Sequence, residues 1–246
     1  MGVNSLKSQA EYMKDMFSVD LLKGHFENYL IIFKNFKIGQ YLFNTLLVTV
    51  LKLVFTMPLA IFASYAFAKL RFRGKNAMYP LIISAMFIPF QVIMIPVYTM
   101  LTKLHMIDTY RGLILVTGTI GIPSSIMLLT SSFRSVPNEL LEAAAIDGCG
   151  YFRKILHIII PMGKPAIAIC TIMGFISSWN DLLPPMVIIK SVNKRLVMPA
   201  LDGLVSMYNA DTPFQLTGIL IAAVPAIAIY LILSKQIIMG ISAGST

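Results

Sequence analysis

Five long apolar runs divide the chain, at roughly Tyr41 to Ala68, Ala77 to Leu101, Gly112 to Phe133, Ala166 to Ile189 and Leu216 to Met239. Each is long enough for a helix to cross a bilayer, which takes about 20 mostly apolar residues. The runs are continuous and do not alternate with a period of two, so they predict spanning helices and not barrel strands. Composition moves the picture the same way: 57% hydrophobic and 13% charged residues lie outside the range of an ordinary soluble domain. With a mean hydropathy of +0.78, the expectation is an all-α membrane protein of five transmembrane helices.

The connections carry the orientation. Lys69, Arg71, Arg73 and Lys75 crowd one short loop, which the positive-inside rule places in the cytoplasm. Counting spans from there puts Lys103 to Arg111 outside, the Arg134 to Lys164 region inside, Lys190 to Gln215 outside and the tail from Gly240 inside. The net charge of +9 is mostly this topology signal, and its pattern does not point to nucleic acid. Residues 1–40 are then an extracytoplasmic lead-in, followed by a transmembrane domain over 41–246. That lead-in contains Lys7, Lys14, Lys23, Lys34 and Lys37, and no signal peptide with an apolar core precedes them. The parity therefore leads to the expectation that a first transmembrane helix is absent, through a start assigned too late or a truncated gene.

Cys149 and Cys170 fall in a cytoplasmic segment and within a span, so they are not expected to pair, and neither has metal-ligand neighbours. His25, His105 and His157 lie in three different regions. No metal site is expected.

Between the third and fourth spans lies a polar segment, Glu142 to Pro161, that is too short to cross a membrane. Ser135 offers a capping oxygen, Pro137 fits a first helical turn, and Glu139 and Glu142 suit the positive end of a helix dipole. A helix is therefore expected from near Val136. Ala143, Ala144 and Ala145 continue it with side chains small enough for close approach, until Asp147-Gly148 turns the chain. A second short helix is expected from near Tyr151, with Ile155, Ile158 and Ile159 at helical spacing, ending at Pro161.

Glu142-Ala143-Ala144, Gly148 four positions later, Ile158 ten beyond that and Pro161 three further on resemble the EAA signature of permease subunits in bacterial ABC importers. Ile160 stands where the family usually has Leu, a change between branched aliphatics of equal volume. Asn44-Thr45-Leu46, Tyr65-Ala66-Phe67-Ala68, Phe87-Ile88-Pro89, Ser178-Trp179-Asn180-Asp181 and Gly240-Ile241-Ser242-Ala243-Gly244 are similar to the carbohydrate branch of these permeases, which includes maltose and multiple-sugar permeases. The likeness runs from about residue 40 to the end, and Asn4-Ser5-Leu6-Lys7-Ser8 resemble the segment immediately after the family's first helix.

The resemblance implies an inner-membrane, multi-pass subunit of a bacterial importer. Its partners would be a second permease in a heterodimer, a cytoplasmic ABC ATPase dimer holding ATP and Mg, and an extracytoplasmic sugar-binding protein. The segment 135–163 would be a coupling segment seated in a cleft of the ATPase, with Glu142, Ala143, Ala144, Asp147, Gly148, Ile158 and Pro161 as its signature positions. Closure of the ATPase dimer would then drive alternating access. The outer loop, with Asn193, Asp202 and Tyr208, would face the binding protein, or else be a plain connector; the tail would reach the ATPase interface, or simply fray.

Within the fourth span, Pro184-Pro185 are expected to release carbonyls near Ile176 to Asp181 from regular bonding. Trp179, Asn180 and Asp181 then have two readings: contact with solute along the translocation path, or shaping of a helix bend against the partner. Lys52 likewise has two, as a partner of Asp181 or as an ammonium kept near water in a bundle cavity. Met94, Met127 and Met173 are expected to be packing residues.

The chain has no GxxxxGK[ST], so no nucleotide or other cofactor site of its own is expected. It also lacks HExxH, a nucleophile paired with a base, and the further aspartates of phospholipid head-group transferases, so an enzyme is not expected. A stand-alone secondary transporter remains the nearest alternative, though paired repeats or charged ion sites are not evident. The solute is expected to be a carbohydrate, with an oligosaccharide favoured; glycerol phosphate is the alternative within the same branch.

Overall fold

In the computed structural model, residues 2–15, 26–207 and 211–242 are described, without the side chains of 206, 207 and 232–242. Tyr208, His25 and residues 243–246 of the tail lie outside them. The described residues form helices and turns. Three helices are long and apolar enough to cross a membrane unbroken: α3 (Ile38–Lys69), α6 (Tyr110–Arg134) and α13 (Thr212–Ser242).

The second apolar run is not a single rod, contrary to the sequence expectation; the fourth is interrupted near the expected place, although the Ile176 carbonyl is not released. The second is α4 (Lys75–Ser84), a turn at Ala85–Phe87 and α5 (Phe90–Lys103), bent by 97°. Pro89 causes the break, because a residue before proline avoids the helical region and proline donates no N–H. The fourth is α10 (Lys164–Trp179), only about 24 Å long at 1.5 Å per residue. Asn180 ends it, its backbone N–H and side-chain amide both donating to the Ile176 carbonyl at 3.1 and 2.8 Å. Pro184 and Pro185 then start a separate short helix, α11 (Leu183–Ile188).

The expected outer loop also differs. Its middle is α12 (Val197–Met207), whose Val197, Ala200, Leu201 and Leu204 are buried at helical spacing. They pack with Trp179, Phe175, Tyr41 and Phe214 in one cluster. Before the first span, α1 (Gln9–Lys14) and α2 (Glu27–Lys34) fold against this same end of the bundle. Thr217 donates to the Ser5 carbonyl at 3.1 Å, and the Gln9 side chain accepts from the Thr212 backbone at 3.0 Å.

In lipid, apolar burial gives little drive for helices to associate, so packing and interhelical hydrogen bonds must hold the bundle. α3 and α6 supply both along their length: Thr56 donates to the Gly118 carbonyl at 3.4 Å and Ser64 to that of Ile126 at 3.2 Å. Thr49 donates to Ser178 at 3.1 Å and ties α10 to the same helix. Such bonds are worth about 0.6 kcal/mol each in a membrane protein. By contrast, α4, α5 and the turn between them keep large side chains exposed, among them Leu81, Phe87, Val92 and Ile95. That surface is open to lipid or a partner subunit.

Candidate functional site

At the end of the bundle where α3 and α6 finish, Lys69 donates to the carbonyls of Arg134 and Val136 and to the Asn138 side chain. A cation there meets the negative end of the α6 dipole and the unpaired carbonyls of its last turn. The lysine thereby fixes where the chain leaves the membrane-length helix and enters α7 (Asn138–Ile146).

α7 starts two residues later than Val136, and Ser135 does not cap it. The serine hydroxyl turns back to the Ser132 carbonyl at 2.7 Å, and Pro137 takes the cap position without a side-chain bond. Proline lacks the N–H that would otherwise need a partner, so the start is formed by conformation alone. The other end is fully built. Gly148 adopts φ +78°, its N–H reaches the Ala145 carbonyl at 3.1 Å, and the Cys149 N–H reaches that of Ala144 at 2.8 Å. This pair of bonds around a left-handed residue is a Schellman motif, which a side-chain-bearing residue would strain.

Past the turn, α8 (Tyr151–Lys154) runs through a π turn, Ile155–Ile159, into α9 (Ile160–Met162). Pro161 accounts for the wide turn: its ring crowds the carbonyl four residues back and it has no N–H to give. The backbone slips register, and the Ile160 N–H bonds to Ile155. At Gly163 the chain bends by 80° into α10. A Cβ at Gly163 would stand 2.5 Å from the Phe133 ring, so the close approach there needs glycine.

The hairpin's two faces differ sharply. Val136, Leu141, Ile155 and Ile159 are buried against Phe133, Tyr65 and Phe67. Facing outward are Glu142, Ala143, Asp147 and Gly148, with Ala144 half-buried. Ile146 is 88% exposed, Tyr151 66% and Phe152 70%, the Phe152 ring lying edge-on to Phe62 of α3 at 5.5 Å. Ile158 is half-buried and Pro161 exposed. The structure thus gathers the signature positions on one hairpin, but splits them between its outer face and its root.

Residues 56–241 match the family described as "Binding-protein-dependent transport system inner membrane component". The chain belongs to this family. It is 28% identical over 247 residues to the diacetylchitobiose uptake system permease protein of Streptomyces coelicolor, covering 99% of this chain and 81% of that one. It is 34% identical over 212 residues to the multiple sugar-binding transport system permease protein of Streptococcus mutans, covering 85% and 76%. Among solved structures, a bacterial ABC transporter that imports alginate shares the fold with a TM-score of 0.76 at 24% identity, over 95% of this chain and 87% of that chain. Family membership accounts for the apolar helices of membrane-spanning length, three unbroken and up to five among the described residues if each bent pair is one span, and for a transport role in place of an enzymatic one.

The remaining positions singled out in the sequence fall elsewhere in the bundle. Trp179 is buried, its indole N–H bonded to the Ala222 carbonyl at 3.0 Å and its ring stacked on Phe175 at 5.4 Å. The same residue also lines a cavity, so both readings of it stay open. Asn180 and Asp202 border a cavity of about 470 Å³ beside it, and Asp181 is half-buried. Asn193 contributes its carbonyl, which accepts from Gln40 at 2.8 Å and Asn44 at 2.9 Å. Lys52 lines a second cavity, and Asp181 acts on it electrostatically from beyond ion-pair distance. Met127 and Met173 line that cavity too. Among the described residues no cluster of three or more histidine, cysteine or acidic side chains could hold a metal.

Sequence reasoning passed over Asp108. Its carboxylate accepts from the backbone N–H groups of Lys190 and Ser191, both at 2.9 Å, from the Ser191 hydroxyl, and from Lys194 at 3.2 Å. The Ser191 hydroxyl and backbone, then Lys190 and Lys194, hold this carboxyl well below the usual carboxylate range. Asp108 adopts a left-handed backbone at φ +58°. Its partners lie more than eighty residues away, beyond what local pattern conveys.

Proposed function

We infer that this chain is a permease subunit of an ATP-driven importer that moves a carbohydrate across a bacterial cytoplasmic membrane by alternating access. It forms half of the pathway, with a second permease as the other half. A separate ABC ATPase dimer binds ATP and Mg, and an extracytoplasmic binding protein delivers the solute. The relatives' names, for diacetylchitobiose and for multiple sugars, favour an oligosaccharide.

The observation that carries the coupling part of this reading is the hairpin from Asn138 to Met162. Its buried face fixes it to the ends of α3 and α6, while Glu142, the alanines and Ile146 project beyond the bundle. Small residues permit close approach of a second surface, and Ile146 gives it an apolar anchor. The 80° bend at Gly163 turns this hairpin away from the direction of α10, so a push on the hairpin is transmitted as a rigid-body movement of packed helices. On this assignment the hairpin is cytoplasmic, and the N-terminal segment, the Asp108 turn and α12 face outward.

The test is purification of the tagged chain from native membranes in mild detergent. Recovery of a second permease and an ATPase, with uptake that requires ATP, is the expected result. A well-folded chain recovered alone and active without ATP would overturn the reading and favour a secondary transporter.

A further inference from the structure

Lys52 stands fourteen residues into α3, at mid-membrane depth, and is only 6% exposed. Its side chain borders a partly open cavity of about 370 Å³ lined by α3, α6, α10 and the turn at Ala85–Phe87. Among the described residues no hydrogen bond or ion pair within 4 Å engages its ammonium, and Asp181 attracts it from farther off. A charge at this depth is costly and persists where it faces a cavity or a partner.

The other polar groups of the wall define the chemistry. Ser124 and Ser125 both donate their hydroxyl protons to the Gly121 carbonyl at 3.0 Å, and Thr56 donates to Gly118 at 3.4 Å. Their protons are committed to backbone, so lone pairs are left for the cavity, which suits the O–H groups of a polyol. Lys52 offers the opposite: three donors, no acceptor and a full positive charge, which suits an anionic oxygen. The volume lies within the range of about 300–1,000 Å³ usual for small-molecule sites.

We propose that this cavity is a solute subsite of the translocation path, in which Lys52 holds a carboxylate or phosphate group carried by a hydroxyl-rich solute. The proposal rests on the reading of the chain as a carbohydrate importer permease. It narrows the solute to one that bears an anionic group, with the serines taking its neighbouring hydroxyls.

The test uses the whole importer in nanodiscs, with both permeases and the ATPase dimer, as wild type, Lys52→Gln and Lys52→Arg. Equilibrium binding is measured with trigalacturonate, glucose 6-phosphate and neutral maltotriose, and ATP hydrolysis is followed in the same samples. Wild type should bind one anionic probe at least about tenfold more tightly than Lys52→Gln does, as loss of one charged hydrogen bond requires. Lys52→Arg should restore most of that affinity, and maltotriose should not separate the three proteins. Preference for trigalacturonate identifies the carboxylate, and preference for glucose 6-phosphate the phosphate. Equal behaviour of wild type and Lys52→Gln towards every probe, absence of binding included, overturns the proposal. Where Lys52→Gln does not assemble, the pair Lys52→Gln with Asp181→Asn replaces it. Assembly with undiminished anion binding would then mark Lys52 as a counter-ion to Asp181 and overturn the subsite. Failure of the importer reading shows separately, as a preparation without an ATPase.

Discussion

The stretch from Lys190 to Leu196 and the hairpin from Asn138 to Met162 lie at opposite ends of the same bundle, and their polar and apolar groups are treated in opposite ways. Asp108 binds the first through two backbone N–H groups, a hydroxyl and an ammonium; Gln40 and Asn44 hold its carbonyls, and the Val197 N–H bonds to Thr45 at 2.8 Å. The backbone groups of this stretch are largely bonded inside the chain, while the Val192 side chain stays 58% exposed. The hairpin instead satisfies its own backbone and leaves Ile146 and Tyr151 largely uncovered. One end is a finished surface against which something can dock and leave; the other exposes apolar area that a lasting partner would cover.

The largest effect should come from the hinge on which the hairpin depends. Gly163→Leu places a Cβ 2.5 Å from Phe133 and 2.8 Å from the Ile159 carbonyl, and Phe133 is fully buried and has nowhere to retreat. Overpacking of this kind costs about 1–3 kcal/mol and often more against backbone. Membrane levels of folded protein should fall steeply, read by fluorescence-detected size exclusion of a tagged chain. Normal yield and thermal stability would show that the 80° bend is not required by packing.

Next come changes that spare folding but spoil the uncovered face. Ile146→Asp puts a charge where the side chain is 88% exposed, so insertion and stability should stay at the wild-type level. Retention of the ATPase on the tagged chain should drop at least about tenfold, the usual consequence of losing a central apolar anchor. Glu142→Ala should be milder, lowering ATP-driven uptake about several-fold through one lost charge pair. If both variants retain the ATPase and transport at the wild-type rate, the comparison between the two ends collapses.

Much of this design was legible in the chain's own pattern. The length of the apolar runs gives the crossings, and the spacing from Glu142 to Pro161 marks the hairpin, because turn chemistry at Asp147-Gly148 is local. Local signals were also misread. Pro89 sits inside an apolar run, and hydropathy averaged across it conceals a break that the proline itself announces. The spacing of Val197, Ala200, Leu201 and Leu204 was there to be read as a buried helix, but the charged residues around it suggested an exposed loop. Asp108 and the choice between the two readings of Lys52 depend on contacts between distant spans, which no local pattern contains.

The smallest expected effect probes the finished end. Asp108→Asn keeps the size of the side chain but replaces one acceptor oxygen with an N–H₂ that faces the Ser191 hydroxyl and the Lys194 ammonium, both donors. The left-handed backbone at this position tolerates asparagine, so the turn itself should survive. Uptake should change by less than about threefold, since Gln40, Asn44 and Thr45 still hold the stretch. Amide exchange at Lys190 and Ser191 should nevertheless quicken. The wild type adds a pH dependence of definite sign. A carboxyl whose folded pKa is depressed contributes stability above its ordinary value of about 4 and loses it as pH falls through the folded value. Because the folded value of Asp108 lies well below the ordinary range, protection at Lys190 and Ser191 should persist unchanged from pH 7 to about pH 4, after correction for intrinsic exchange. Protection already lost near pH 5 would mean that the staple is not formed by the ionised carboxylate, and the outer end would then be as dependent on a partner as the hairpin is.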